Sequence, residues 1–201
     1  MSSSIASPMK QLTQQLELGQ SLSQAQAYEA FDELFLGHVP EEDIRRFLLA
    51  LKAKGESIDE ITGAAEAMRD AMRLFDAPGD AMDVCGTGGD AKGTFNISTT
   101  VAIVLASCGV PVVKHGNKAV SSQSGSTDVL CALGLAISDD TNQLKRCLDE
   151  ANICYLAAPY FHPAMQYVAP VRAELKTRTM FNLLGPLCNP ARVKYQLMGV
   201  Y

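Results

Sequence analysis

Around residue 81 the chain changes its hydrophobic period, and that change restricts the fold more than any other feature. Before it, apolar residues recur at helical spacing between tight Gly and Pro connections. After it, short apolar runs alternate with Gly-rich turns and helical stretches, which is the signature of a mostly parallel sheet. The spacing predicts helices beginning at Ser7-Pro8 (Met9, Leu12, Leu16, stopped at Gly19) and at Ser23, where Gln26 completes a capping box. A third opens at Pro40 behind Glu41, Glu42 and Asp43, with Ile44, Phe47, Leu48 and Leu51 as its stripe. A fourth, capped by Ser57 and Glu60, carries Ile61, Ala65, Met68, Met72 and Phe75 as far as Pro78. From residue 81 the expected order is strand Ala81–Cys85, a helix from Ser98 to Cys108, strand Val110–Lys114, and a helix around Val129–Leu133. Helix Thr141–Glu150, strand Ile153–Leu156, helix Pro163–Leu175 and strand Tyr195–Val200 follow. The fold class is therefore α/β, with a helical domain at 1–78, to which 163–190 is a candidate addition, and an α/β domain at 79–201.

Composition narrows the function classes. Seventeen Lys+Arg against twenty-two Asp+Glu leave a net charge of −5, without the basic stripe that a nucleic acid or an anionic membrane demands. With 47% hydrophobic and 19% charged residues the chain supports a core. No apolar run reaches the roughly 20 residues of a membrane span, and the first residues lack the pattern of a secretion signal. A cytoplasmic protein is expected. Cysteines stand at 85, 108, 131, 147, 154 and 188 without C-x-x-C spacing, and read as small apolar residues rather than zinc ligands or disulfides.

The chemistry concentrates in loops that follow strands. Gly86-Thr87-Gly88-Gly89-Asp90 allows positive φ and lets backbone N–H groups close on an anion. It lacks the third glycine of a dinucleotide fingerprint and the Gly-Lys-Ser/Thr of a nucleotide-hydrolase phosphate loop. Thr94, Asn96, Ser98 and Thr99 lead into a helix start, where unpaired N–H donors and the helix dipole favour a phosphate. Lys114-His115-Gly116-Asn117-Lys118-Ala119-Val120-Ser121-Ser122 forms a second polar loop, with Lys114 as the expected point charge for a phosphate.

These motifs, together with Arg178-Thr179-Met180-Phe181-Asn182-Leu183-Leu184-Gly185-Pro186-Leu187-Cys188-Asn189-Pro190, resemble anthranilate phosphoribosyltransferase of tryptophan biosynthesis. The resemblance implies transfer of a 5-phosphoribosyl group from phosphoribosyl pyrophosphate (PRPP) to the anthranilate amine, with Mg2+ as cofactor and a homodimer formed through the helical part. It assigns Gly86, Gly89, Asp90, Thr94, Asn96, Ile97, Ser98 and Thr99 to the pyrophosphate and ribose cradle, with Ser98 also touching magnesium. Lys114, His115, Gly116, Asn117, Lys118, Ala119, Val120, Ser121, Ser122 and Ser126 become the second phosphate-holding loop. Gly86, Asn117 and Arg172 become anthranilate contacts, with His115 and His162 lining the substrate channel. The family's Asp-Glu magnesium pair lies past position 201. Asp32-Glu33, Asp59-Glu60 and Asp149-Glu150 fall on predicted helices and read as solvated charges. The chain thus resembles the N-terminal part of such an enzyme, truncated at the C-terminus, and weak or absent activity is expected of it. The alternatives are a pyrimidine nucleoside phosphorylase-like enzyme and a non-catalytic nucleic-acid-binding relative.

Overall fold

A computed structural model describes residues 8–88, 95–119 and 124–200. The chain separates into two compact units, Met1–Ala71 with Ala164–Leu184, and Met72–Pro163 with Gly185–Tyr201.

In the helical unit, α1 (Pro8–Glu17), α2 (Gln24–Leu36), α3 (Glu41–Lys54) and α4 (Ile58–Ala71) are joined by α9 (Ala169–Leu175) from the later segment. The Ser23–Gln26 capping box closes both ways, and Gly37 ends α2 in the left-handed region. Helices α2 and α4 approach closely because small residues face each other: Ala27, Ala30, Ala64 and Ala67 are buried. A Cβ placed on Gly63 would lie 2.2 Å from the Gln24 carbonyl oxygen. Beyond this seam an aromatic cluster fills the core, Phe31 meeting Phe47 at 5.7 Å and Phe181 at 5.5 Å between ring centroids.

Glu60 is no solvated helix charge. It is fully buried, and its Oε1 accepts the Leu22 N–H while its Oε2 accepts the Ser57 N–H and the Lys54 ammonium, each within 2.9 Å. Burial opposes its charge; the Ser57 backbone, Lys54 and the Leu22 backbone outweigh that and hold the carboxyl below its usual range. The capping residue thereby locks the entry of α2 to the end of α3.

The α/β unit carries one parallel sheet in the order β3-β2-β1-β4, from β1 (Met82–Gly86), β2 (Val112–Gly116), β3 (Ile153–Ala157) and β4 (Tyr195–Gly199). Its helices are α5 (Ile97–Ser107), α6 (Ser126–Ala132), α7 (Thr141–Ala151) and α8 (Ala158–Phe161). Strand alternation builds two cores. Val84 and Val112 pack with Ala102 and Ala106 of α5, while Val113, Cys154 and Leu156 pack with Leu144 and Leu148 of α7 and with Phe75 and Phe161.

Most elements shift by a residue or more from their expected bounds, and in three the physical cause is visible. The fourth helix stops at Ala71: the Arg73 N–H goes to the Phe161 carbonyl and the Phe75 N–H to that of Pro190, so Phe75 enters the sheet's core instead of extending a helical stripe. The expected strand at 110 begins two residues later, because the Val110 N–H is spent on Leu105 at the end of α5 and Pro111 has none to offer. The expected helix Pro163–Leu175 is broken into a 3-10 turn (Pro163–Tyr167) and α9, with Pro170 in the first turn of α9. Helix α10 (Phe181–Leu187), which periodicity does not announce, includes Pro186. The cysteines are all free, but Cys108 and Cys131 are exposed rather than packed inside.

Replacing Gly63 by Ala reverses the usual sign for a helix interior, where Ala exceeds Gly by about 1 kcal/mol. The methyl group meets backbone on α2, so G63A is expected to lose about 1–3 kcal/mol in urea unfolding. An unchanged or raised midpoint would show that the seam yields freely.

Candidate functional site

Strand β1 delivers Gly86 to its carboxyl end, followed by Thr87 and by Gly88 at φ +63°. Gly89, Asp90 and Thr94 of the expected cradle lie outside the described residues, as do Val120, Ser121 and Ser122. Helix α5 starts beside Gly86: a Cβ there would stand 3.7 Å from Ser98 Oγ. Asn96 occupies the N-cap, its carbonyl accepting the Thr100 N–H, but its side chain makes no capping bond to the helix. Its Nδ2 donates instead to Ser124 Oγ at 2.9 Å, tying the α5 start to the loop after β2. Ser98 is half-buried, Ile97 is exposed, and Thr99 is buried.

The loop after β2 is held by its own backbone and by Asp128. That carboxylate accepts the Ala119 N–H at 2.9 Å and the Gly125 N–H at 2.8 Å; these two amides, with Lys118 nearby, hold it below its ordinary range. Asn117 Oδ1 accepts the Lys118 N–H, and its carbonyl accepts the Thr127 N–H. Gly116 and Gly125 are steric requirements. A Cβ at Gly116 would lie 2.6 Å from Ser126 Oγ and 2.7 Å from Tyr155 OH, and one at Gly125 would lie 2.4 Å from Ala119 N. The Tyr155 hydroxyl pairs with Thr127 Oγ1 at 2.7 Å, which fixes the start of α6 above β3. Gly116, Asn117, Lys118, Ala119 and Ser126 are thus one assembly.

Lys114 stands elsewhere than expected. Strand β2 runs on to Gly116, two residues past the expected end, so Lys114 lies inside the strand, buried, with Nζ donating to the Val84 carbonyl at 2.7 Å. Burial lowers its pKa, opposed by the nearby Asp83 carboxylate. It is a charge beneath the loops rather than one displayed on them. Asp83, also fully buried, accepts the His115 N–H on β2 at 3.1 Å and Gln196 Nε2 on β4 at 3.2 Å.

His115 and His162 face each other with ring centroids 5.0 Å apart, both buried. Among the described residues, His115 Nε2 and both ring nitrogens of His162 make no hydrogen bond of good geometry. Burial pushes His115 down to about 4 and His162 to about 3. The neighbouring His115 lowers His162 further, while the Gly185 backbone pulls His115, and the Cys188 backbone His162, the other way. Both rings are neutral at pH 7.

Arg172 belongs to the helical unit, in the last turn of α9, with its guanidinium over the Phe181 ring at 5.0 Å. For magnesium, the described residues contain no group of three His, Cys, Asp or Glu able to hold an ion. Ser98 alone is one neutral hydroxyl, whereas magnesium takes near-octahedral oxygen coordination that includes carboxylates. The described residues therefore do not fit a resident magnesium site. Asp83, Asp128, Thr127 and Tyr155 were not singled out from sequence. Asp128 had a signal, as the acid three residues after Gly125 at a helix start; Tyr155 had none, because its partner lies 28 positions away.

Residues 10–72 match the helical bundle domain of a glycosyl transferase family, and residues 78–201 match that family's a/b domain. Anthranilate phosphoribosyltransferase of Methylocella silvestris is 53% identical over 193 residues, covering 96% of this chain and 55% of that protein. The crystal structure of the Thermus thermophilus enzyme of the same name is similar with a TM-score of 0.86 at 43% identity, covering 94% of this chain and 58% of that one. The Saccharomyces cerevisiae enzyme in complex with PRPP and Mg aligns with a TM-score of 0.87 at 29% identity, covering 98% and 59%. The chain spans about half the length of the relatives it matches. Among the described residues no helix is long and apolar enough to cross a membrane.

The histidine pair makes stability depend on pH in a set direction. Between the ordinary value of 6.5 and the folded values near 4 and 3, the unfolded chain binds protons that the folded rings refuse. Their contribution is complete above pH 6.5 and lost as pH falls. By pH 5 the loss amounts to about 2 kcal/mol for each ring. Thermal midpoints measured from pH 7.5 to 5 should fall less steeply in H162Q than in the parent chain. Parallel curves would exclude the pair as the source.

Proposed function

The chain belongs to the glycosyl transferase family by both of its domains, and on that premise we propose that the protein it represents transfers a phosphoribosyl group from PRPP to anthranilate, releasing pyrophosphate. One observation carries the reading: the Asn96–Ser124 hydrogen bond joins the Gly86 turn and the α5 start to the Gly116–Ser126 loop, so two anion-seeking loops act as one receptor. In this reading the pyrophosphate lies against backbone N–H groups of the first loop, the α5 start and Ser98, with Gly116–Ala119 and Ser126 closing on the remaining phosphate. Gly89, Asp90, Thr94 and Val120–Ser122 complete the proposed contacts. Asn117, Gly86 and Arg172 are assigned to the aromatic acid, and His115 and His162 to its approach.

The reaction asks little covalent chemistry of the protein. The C1–O bond to pyrophosphate breaks as positive character grows on the sugar, and the amine attacks that carbon. Donors fixed before the reaction stabilise the departing charge, and held geometry aims the amine. Neutral histidines suit the path of an amine nucleophile, since a cationic ring would repel the developing ammonium. Lys114 contributes a buried positive charge, its position kept by Val84 and Asp83. Magnesium is proposed to arrive with PRPP and to touch Ser98, and the chemistry it supplies is screening of the diphosphate charge. Cytoplasmic location and a homodimer through the helical unit belong to the same proposal, and sedimentation at micromolar concentration tests the latter.

Fluorescence loss from anthranilate with PRPP and magnesium, followed on the full-length gene product, tests the activity. Absence of turnover there, or release of base from uridine or thymidine with phosphate, would overturn it. The 201-residue chain alone should bind pyrophosphate weakly and turn over little or not at all. N96A, which cuts the link between the loops, should weaken that binding roughly tenfold in calorimetry, the equivalent of about 1.4 kcal/mol for a lost part-buried bond. Unaltered affinity would show that the loops act independently.

A further inference from the structure

Arg172 and Phe181 both lie in the helical unit. The guanidinium carbon stands 5.0 Å from the centroid of Phe181. That ring is buried and cannot swing away, because it meets Phe31 at 5.5 Å and Phe35 at 6.3 Å, and Phe31 in turn meets Phe47. The acid on the same helix, Glu174, is held by Arg45, and the ion pairs among the described residues do not include Arg172. Burial acts on Arg172 and lowers its pKa, as expected for a cation partly withdrawn from water.

An acidic partner would hold the guanidinium by neutralising it. An aromatic face holds it through the ring quadrupole and leaves the full charge in place. A guanidinium held over a ring also keeps in-plane N–H donors for a planar, two-point acceptor. We propose that Phe181 is a positioning residue: anchored in the α2–α3 aromatic cluster, it fixes the direction of the Arg172 guanidinium, so that the fork is already set to receive the carboxylate of an aromatic acid. The proposal rests on the reading of Arg172 as the anthranilate carboxylate contact. It adds that the affinity for the carboxylate is set by π density inside the helical core.

The test replaces Phe181 with trifluorophenylalanine, which keeps the ring's shape and burial while draining its face, beside F181L and F181Y. In the 201-residue chain, the Arg172 Nε–H resonance should sit upfield from the ring current and move back in F181L. A normal position in the parent chain would overturn the arrangement without reference to any ligand. In the full-length gene product, the fluorinated ring should raise KM for anthranilate roughly threefold to tenfold with the thermal midpoint held. KM for PRPP and inhibition by 2-aminobenzamide, which lacks the carboxylate, should stay constant, and F181Y should restore anthranilate affinity. A merely structural Phe181 would respond to F181L but not to fluorination, and that result would overturn the proposal. R172A separates the two layers. If it leaves anthranilate KM unchanged, the reading of Arg172 fails; if it raises KM while fluorination does nothing, only the positioning role fails.

Discussion

The carboxylate of Asp83 lies at the centre of the sheet, cut off from water, and takes hydrogen bonds from the strands on both sides. On one side the donor is the His115 backbone on β2; on the other it is Gln196 on β4. Lys114 reaches back across the same gap to the Val84 carbonyl. Strands β1 and β2 pair at Met82↔Val112, and toward their carboxyl ends these side chains bridge them where β1–β4 and β2–β3 continue in regular register. A buried carboxylate and a buried ammonium in one apolar sheet are tolerable only while each is hydrogen-bonded and near the other. The heights at which Gly86 and Gly116 emerge depend on that arrangement.

Everything above the sheet follows from where those two glycines emerge. At Gly116 there is no room for a side chain, since Ser126 and Tyr155 fill it, and Tyr155 is in turn held by Thr127. Asp128 gathers the Ala119 and Gly125 amides, and Asn96 joins that loop to the start of α5. Among the described residues the two loops offer backbone N–H, hydroxyl and amide groups, with Lys118 exposed and Lys114 and Asp83 buried beneath. Such a surface suits a ligand that brings its own negative charge and leaves with more of it. The helical unit uses the same economy differently, keeping Arg172 charged by setting it over a ring rather than against an acid.

Much of this was legible because it is local. Ser23 with Gln26, Ser57 with Glu60, and the strand–glycine–helix alternation after residue 81 are short-range patterns governed by backbone donors a few residues apart. The loops that gather at the site were visible as Gly-, Ser- and Asn-rich segments after strands, and the resemblance they carry agrees with the family found by comparison. Two of the misplaced residues turn on partners distant in sequence. Phe75 looked like the end of a helical stripe until Phe161 and Pro190 supplied the competing contacts. Glu60 looked like surface charge until Leu22, 38 positions away, enclosed it.

By itself, then, the sequence determined the helical run before residue 81, the alternation of strands and helices after it, the places of the Gly-, Ser- and Asn-rich loops and the absence of a basic stripe, because periodicity, turn chemistry and charge are properties of neighbouring residues. The tertiary structure decided which charges are hidden and which rings are neutral. Lys114 became a buried support because β2 runs on to Gly116 and the ammonium meets the Val84 carbonyl of the neighbouring strand, 30 positions away. His115 and His162, 47 positions apart, lost their basicity only on meeting inside the α/β unit. Desolvation and charge–charge interaction depend on distance in space, and the chain acquires those distances when it folds.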